Sequence, residues 1–495
     1  MTAPNGMVAA GDTRSARVGA DVLGLGGNAV DAAVAAVLAS WVCEPLLTGP
    51  GAGGYMLVAG PGVEPTLLDF FVAAPGIGRD GAGHEPLMPF EVSFGDAVQL
   101  FNCGAASVGV PGMPAGLDAA ASTWGTVPLP ELAAPAAALA REGVPLNFEQ
   151  AYVFEILVGM LVSTPQARAE FTNDGVPLRA GEPFRSPELS ATIERFGAEG
   201  AAPFYRGDIA AAIVADVEAG GGLLGAGDLE AYEAIERRPA RSSYRGLDVL
   251  TNPPPSAGGI LLTLAFEMLE ADGEEAPTTR RLVEVMEEVQ ALRTPGFTAE
   301  LADPGFLERF LAANLGSTTH VSVIDSDGLA CSVTCTNGEG SGLVVPGTGI
   351  HLNNIMGEED LSPSGFFTAP PGLRMPSMMA PTVVTEPGGQ VRLAVGSAGS
   401  NRIRSAILQV VVNALARGME AGPAVYAPRI HVEGGVLYAE PGIDLDGLGR
   451  SDLEIVRFRA ENLFFGGAQL VEREPLAGGC TGAGDPRRGG AAVAA

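Results

Sequence analysis

The period of the apolar pattern changes near residue 318, about two-thirds of the way along the 495 residues. Upstream of this point the spacing is mostly helical, and it predicts helices at about 129–142, 147–163, 207–219 and 279–292. Downstream the spacing becomes mostly that of strands, predicted at about 319–326, 330–336, 380–386 and 391–395. One further helix is predicted at about 402–417. Helices that cover antiparallel strands predict a layered α+β architecture.

A hydroxyl residue, Thr318, stands at the start of the first of these strands. If the backbone is cut between Ser317 and Thr318, the new α-amine of Thr318 can accept the proton of its own hydroxyl, so one residue supplies nucleophile and base. An α-amine has a reference pKa of about 7.7 to 8.0, and burial lowers that value. We therefore predict an N-terminal threonine nucleophile. The alternative is an ordinary threonine at the edge of a strand.

The charge of the chain argues against several classes of partner. Its formal net charge is −29, so binding to nucleic acid or to an anionic membrane would be opposed by repulsion. No basic segment leads into a signal-peptide core, and the longest apolar segment, 28–43, contains Asp31 and is too short to span a bilayer. We expect a cytoplasmic protein without nucleic-acid or membrane partners. Enrichment in alanine, glycine and proline suggests a GC-rich bacterial genome.

The cysteines and the glycine-rich strings point to no cofactor or metal. The five cysteines are odd in number and scattered, so we expect buried packing residues, no disulfide framework and no metal site. Residues 24–29 and 49–54 match a dinucleotide-binding fingerprint as letters. That fingerprint needs a strand before it and a helix after it. The first string follows a predicted helix and the second precedes a strand, so neither predicts nucleotide binding.

Ten short motifs follow one another along nearly the whole chain. They are GGNAVDAAV at 26–34, GAGGYML at 51–57, VPG at 110–112, FYRG at 204–207, YRG at 244–246, PPPSAGG at 253–259, TTH at 318–320, LNN at 352–354, MAPT at 379–382 and GSAGSNR at 396–402. In this order they resemble the gamma-glutamyltranspeptidases, a family of N-terminal-nucleophile hydrolases.

The resemblance implies a four-layer αββα sandwich. It also implies one precursor that cuts itself into a large subunit, 1–317, and a small subunit, 318–495, which together form a heterodimer. Thr318 matches the nucleophile of the family, and no cofactor is needed for acyl transfer through a threonine.

Four further positions match residues of the family's active site. Thr336 corresponds to a second threonine that hydrogen-bonds the nucleophile, and Asn337 to a substrate-binding asparagine. Gly399 and Ser400 correspond to a glycine pair whose backbone N–H groups form the oxyanion hole, and a serine in the second place keeps that N–H. Taken alone, Thr336 would be an ordinary strand residue and Gly399 an ordinary turn glycine.

The chain departs from the family where a glutamyl head group should be held. The arginine that the family places after the strand ending near residue 70 is Phe71 here, and the acidic residue after it is Val72. A serine pair becomes Ser377 and Met378. A carboxylate buried without its partner costs about 3 to 5 kcal/mol, so we expect a substrate other than a γ-glutamyl compound.

The segment after Asn353 carries the other half of the predicted substrate site. Glu358 is the nearest match to the family's acidic residue that meets the α-amino group of the substrate, and Ile355 replaces a polar neighbour. The alternative is that Arg374 or Arg402 reaches the substrate carboxylate from elsewhere. Two histidines near the motifs, His320 and His351, are predicted to support the core.

The leading prediction is therefore a self-processed hydrolase or acyltransferase that forms an acyl-enzyme at Thr318 on a small-molecule amide, and a cephalosporin-acylase-like enzyme fits this description. Three alternatives stay open. The chain could be a genuine γ-glutamyl hydrolase or transpeptidase that acts on glutathione, a specialised-metabolite enzyme that breaks a C–C bond beside a carbonyl, or a catalytically silent binding homologue. Failure to self-cleave would favour the last.

Overall fold

The computed structural model describes residues 5–79, 83–93, 98–292, 318–362, 365–446, 448–475 and 478–495. Its strands, in chain order, are β1 (Met7–Ala10), β2 (Gly53–Gly60), β3 (Val63–Phe70), β4 (Met88–Ser93), β5 (Val98–Cys103), β6 (Val144–Pro145), β7 (Thr172–Asn173), β8 (Val176–Pro177), β9 (Pro183–Phe184), β10 (Ile235–Arg237), β11 (Ala240–Tyr244), β12 (Leu247–Thr251), β13 (Thr319–Ile324), β14 (Ala330–Thr336), β15 (Val344–Val345), β16 (Ile350–His351), β17 (Thr382–Thr385), β18 (Val391–Ala398), β19 (Ile430–Glu433), β20 (Val436–Ala439), β21 (Glu454–Arg457), β22 (Gly467–Arg473), β23 (Cys480–Gly484) and β24 (Ala491–Ala494).

The helices predicted at 129–142, 207–219, 279–292 and 402–417 are present, with shifts of a residue or two at their ends. The helix predicted at 147–163 is two helices, and several others, including Ala257–Asp272, were not predicted. The helices are α1 (Thr13–Gly24), α2 (Ala29–Cys43), α3 (Met113–Trp124), α4 (Leu129–Glu142), α5 (Phe148–Ile156), α6 (Val158–Leu161), α7 (Pro165–Phe171), α8 (Pro187–Glu199), α9 (Ala202–Arg206), α10 (Asp208–Ala219), α11 (Ala226–Glu230), α12 (Ala257–Asp272), α13 (Thr279–Ala291), α14 (Arg402–Leu415) and α15 (Ala421–Tyr426). Within the described ranges, no helix is both long enough and apolar enough to cross a membrane.

Two antiparallel sheets form the centre of the molecule. The first has the strand order β10-β3-β2-β14-β13-β1-β24, and the second has the order β11-β12-β17-β18-β22-β23. Strands β13 and β14 of the first sheet pack face to face against β18 of the second. Helix α2 covers β13 and β14 from outside, while α12 and α14 cover the second sheet. The predicted four-layer αββα sandwich is confirmed.

Helix α2 is buried on all sides. All of its residues are buried, because α1 and α4 flank it and the first sheet lies beneath it. A helix that is apolar all round belongs inside a protein. It starts at a capping box: the Asn28 side chain accepts from the backbone N–H groups of Val30 and Asp31, and the Asp31 side chain accepts from the Asn28 N–H at 2.9 Å.

The two faces of β13 have different chemistry. Val321 and Val323 join the apolar core beneath α2. His320 and Ser322 lie on the face toward the second sheet. The Ser322 Oγ donates to a main-chain carbonyl of β22 at 3.0 Å, and the His320 ring is hydrogen-bonded to Thr334 of the neighbouring strand β14 at 2.8 Å. Burial lowers the pKa of His320 to about 3. The neutral ring is thus a core residue, as predicted.

Two further predictions concern the cysteines and the division of the chain into two subunits. The five cysteines are free and buried, as expected. The division into 1–317 and 318–495 stays a prediction, since Ser317 lies outside the described residues. Both sheets combine strands from both of these segments. The glycine-rich end of the chain, which showed little pattern, forms β23 and β24.

Candidate active site

Strand ends from both sheets converge on one small pocket. Strand β13 begins where its antiparallel neighbour β14 ends, and β3 ends beside the start of β2. From the second sheet, β18 ends and turns into α14. The pocket between these ends has about 240 Å³ of empty space, including its open mouth. Its lining residues are Phe71, Thr318, Thr336, Ile355, Glu358, Leu361, Ser377, Met378, Met379, Ser400 and Ile403.

The two threonines that the sequence singles out lie side by side. Thr319 pairs with Cys335, so the next residues outward, Thr318 and Thr336, are neighbours at the end of the strand pair. Both are buried and both line the pocket. Thr336 Oγ1 also accepts a hydrogen bond from the Gly338 N–H at 2.9 Å. This hydroxyl is therefore fixed beside the predicted nucleophile.

The turn between β18 and α14 has an unusual backbone. Gly399 and Ser400 have φ values of +109° and +65°, both in the left-handed range. A Cβ at position 399 would lie 2.5 Å from the Gly466 Cα, so this position requires glycine for space as well as for conformation. The turn places Ser400 in the pocket at the start of α14, where backbone N–H groups are available to an anion.

Most of the pocket wall is apolar. Phe71 follows β3, its ring stacks on Tyr55 with centroids 5.4 Å apart, and it is fully buried. Ile355 and Met378 form the wall with it, as predicted, and Leu361, Met379 and Ile403 extend it. Ser377 is a lining residue whose Oγ accepts from the Met379 N–H at 3.0 Å.

Glu358 carries the only charged side chain among the described lining residues. It is 3% exposed. Gly338 makes room for it: a Cβ at that position would lie 2.6 Å from Glu358 Oε1, and φ there is +63°. The site thus has one acidic group in an otherwise apolar wall, and no basic side chain from the described residues lines it.

Both arginines that could have replaced the missing one are engaged outside the pocket. Arg374 pairs with Asp69, with Nε and Oδ1 3.4 Å apart, and its guanidinium lies 4.2 Å from the centre of the Tyr232 ring. Arg402 donates from Nε to the Phe464 carbonyl at 2.7 Å and lies over the Phe464 ring. Neither lines the pocket.

Two predicted site residues lie beside the pocket rather than in its lining. Gly399 directly precedes Ser400 in the turn. Asn337 is fully buried, and its Nδ2 donates to the His351 carbonyl at 3.3 Å. The His351 Nε2 accepts from the Gly342 N–H at 3.3 Å, while its buried Nδ1 has no hydrogen-bond partner among the described residues, and burial lowers the pKa of the ring to about 3. The predicted cleavage residue Ser317 is outside the described part of the chain.

The sequence reasoning missed Glu44. This residue follows α2 and is 1% exposed, and its two carboxylate oxygens accept from Thr319 Oγ1 at 2.9 and 3.0 Å. Burial, with a smaller contribution from Asp12, raises the pKa of Glu44 to about 8. An acidic residue directly after a helix of apolar residues was the available signal. Gly11 leaves the space for this carboxylate, because a Cβ there would collide with it.

The chemistry that the site offers is acyl transfer. A hydroxyl at a strand start, a second hydroxyl beside it and a helix-start turn with exposed donors are the parts that an attack on a carbonyl needs. Within the described ranges, the histidine, cysteine and acidic side chains form no group of three suited to a metal ion.

Comparison with known proteins gives a consistent result. The family model for gamma-glutamyltranspeptidase matches residues 15–315 and 308–495. The glutathione hydrolase proenzyme of Escherichia coli (strain K12) is 33% identical over 487 residues, which cover 87% of this chain and 81% of that protein. The acylase ACY 1 proenzyme of Pseudomonas sp. (strain SE83) is 30% identical over 472 residues, which cover 88% and 84%.

A solved structure is similar over the whole chain. The cephalosporin acylase from Bacillus halodurans superimposes with a TM-score of 0.84 at 27% sequence identity, covering 100% of this chain and 96% of that one.

Proposed function

The chain belongs to the gamma-glutamyltranspeptidase family, and from this membership we propose that it is a self-processing amide hydrolase or acyltransferase whose acyl-enzyme forms on Thr318. The observation that carries the proposal is the meeting of Thr318, Thr336 and Ser400 in one pocket. Cleavage before Thr318 gives a large chain, 1–317, and a small chain, 318–495, which stay together as a heterodimer.

The proposed reaction uses the residues in defined roles. Thr318 Oγ attacks the substrate carbonyl carbon while its own α-amine takes the hydroxyl proton. The carbonyl electrons move to oxygen, and the backbone N–H groups of Gly399 and Ser400 stabilise the oxyanion, each contributing roughly 3 kcal/mol. The amine leaving group departs with the proton, and water or a second amine then takes the acyl group from Thr318.

The pocket favours an acyl group that lacks a carboxylate. Phe71 occupies the place of the arginine that would pair with it, and both Arg374 and Arg402 are held elsewhere. The Glu358 carboxyl group suits an ammonium group on the substrate. A substrate carboxylate in this wall would have no cationic partner, which costs about 3 to 5 kcal/mol.

The related proteins carry names of both kinds, glutathione hydrolase and acylase. Their identities to this chain are nearly equal, so overall similarity does not separate the two activities. The charge of the pocket wall supports the acylase type of substrate.

Mass spectrometry under denaturing conditions tests the nucleophile. We expect the wild-type protein to give two fragments, with a new N-terminus at Thr318, and a Thr318→Ala variant to give one uncut chain. An uncut wild-type chain would refute the proposal, because Thr318 would then have no free amine, and it would favour a silent homologue.

Three matched p-nitroanilides test the acyl preference. The γ-glutamyl compound has an amine and a carboxylate, the 4-aminobutanoyl compound has only the amine, and the glutaryl compound has only the carboxylate. We expect kcat/KM for the 4-aminobutanoyl compound to exceed the others by roughly two decades, since it avoids the unpaired carboxylate. Turnover of the γ-glutamyl compound at an equal or higher kcat/KM would contradict this preference.

A further inference from the structure

Ser400 holds a conformation that a serine rarely adopts. Its φ of +65° lies in the left-handed region, where glycine is the usual residue. The residue is 4% exposed, and the turn is held by the Arg402 N–H on the Gly399 carbonyl at 3.1 Å and the Ile403 N–H on the Ser400 carbonyl at 2.9 Å. A glycine would satisfy this backbone without strain. The presence of a serine rather than a glycine at this position therefore has to be explained by its side chain.

The ordinary reason for a serine before a helix does not apply. A serine at such a place normally caps the helix by accepting an N–H with its hydroxyl. Here the hydroxyl is shielded from solvent and has no hydrogen-bond partner among the described residues. Asn401 stands at the cap position of α14 and makes no side-chain capping bond there. Ser400 instead lines the pocket that contains Thr318.

We propose that the Ser400 hydroxyl is a third hydrogen-bond donor to the oxyanion, added to the backbone N–H groups of the turn. The inference rests on the proposed acyl transfer at Thr318. When Thr318 Oγ bonds to the carbonyl carbon, the carbonyl electron pair moves to oxygen, and the Ser400 O–H donates to that oxygen without giving up its proton. The proton released by Thr318 goes to its own α-amine. When the tetrahedral intermediate collapses, the C=O bond re-forms and the Ser400 donor is released.

Two substitutions separate the hydroxyl from the backbone strain. Ser400→Ala removes the hydroxyl and keeps a side chain in the left-handed region, whereas Ser400→Gly removes both the hydroxyl and the strain. The probe is p-nitrophenyl acetate, whose small activated acyl group makes few demands on the pocket. Release of p-nitrophenolate is followed with the cleaved enzyme, the Thr318→Ala rate is subtracted, and the acetylated fragment is identified by mass.

We expect kcat to fall by roughly tenfold or more in both variants, with KM little changed, because an oxyanion donor acts in the transition state. We also expect the melting temperature of Ser400→Gly to equal or exceed that of the wild type. A loss of activity without a loss of stability cannot come from a damaged fold. A Ser400→Gly enzyme with the kcat of the wild type would overturn this inference but not the proposed function. A Thr318→Ala variant that hydrolyses the probe as fast as the wild type would overturn both the proposed function and this inference.

Discussion

Glu44 shows how a single buried carboxylate makes the stability of this protein depend on pH. Among the described residues, the Thr319 hydroxyl, next to the proposed nucleophile, donates to this carboxylate. Burial comes first among the causes that raise its pKa from 4.5 to about 8, followed by the charge of Asp12, while Arg488 opposes the shift. The carboxyl therefore keeps its proton to a higher pH in the folded protein than an exposed glutamate does.

We predict that this group lowers the free energy of unfolding as pH rises. Its folded pKa exceeds its unfolded pKa, so the native state binds more protons between pH 4.5 and 8, and the stability present below pH 4.5 is lost on passing through that window. Glu44→Gln stays neutral throughout. Urea unfolding at pH 5, 7 and 9 should show the variant gaining stability relative to the wild type at higher pH. The exposed Glu461→Gln serves as control, and parallel curves for Glu44→Gln and wild type would contradict the prediction.

The sequence was sufficient to predict site residues that are recognised by their type and their position in a motif. Thr318, Thr336 and Phe71 are of this kind, and the structure places all three in one pocket. The sequence did not reveal the pKa of Glu44, since that depends on how completely distant segments exclude water. It also did not reveal the backbone of Ser400, because a positive φ at a serine follows from the surrounding fold rather than from local preference.

At the scale of elements, the segment that follows β23 is bound to the second sheet near the turn between β18 and α14. Asp485 follows β23 and is fully buried. It pairs with Arg429 at 2.6 Å and with Arg487 at 3.2 Å, and it accepts from the Ala468 N–H in β22 at 2.8 Å. Strand β22 pairs with β18, which ends one residue before Gly399. The segment after β23 therefore stabilises the turn at Gly399 through β22 and β18.

We predict that Asp485→Asn destabilises the protein by about 3 to 5 kcal/mol, because the buried guanidinium of Arg429 loses its carboxylate partner, although Arg487 keeps its ion pair with Glu440. Chemical denaturation measures the change in the free energy of unfolding. The matched control is Asp444→Asn at an exposed position, where an asparagine can also accept from the Asp446 N–H. A loss no larger than that of the control would show that the cluster does not stabilise the fold.

Local periodicity predicted some of the helices, but it did not predict α12 or the last two strands, β23 and β24. Helix α14 was visible because its apolar residues recur at helical spacing. Strand β24 was not visible, since a run of alanines has no alternation and its register is set only by pairing with β1, nearly the whole chain away. Pairings between strands so far apart in sequence depend on the whole fold and cannot be predicted from a short stretch of sequence.

At the scale of the whole molecule, the proposed cut would divide the sequence but not the fold. Strand β13 lies between β14 and β1, and β14 pairs in turn with β2. In the second sheet β12 pairs with β17. Each sheet thus contains hydrogen-bonded neighbours from 1–317 and from 318–495, and separating the two segments would expose strand edges and the apolar cores on both sides of the first sheet.

We therefore predict that the cleaved protein behaves as one particle until it unfolds. Native mass spectrometry should give the mass of the full chain, 50.3 kDa, plus one water from the hydrolysed peptide bond, while denaturing conditions should give two fragments. Thr318→Ala is the control, with one chain under both conditions. In a urea titration, dissociation and loss of helical signal should share one transition, because the fragments have no separate cores. Separation of the two fragments on a native sizing column before any loss of helical signal would contradict this prediction. It would show that each segment keeps its fold without the strand pairing across the two sheets.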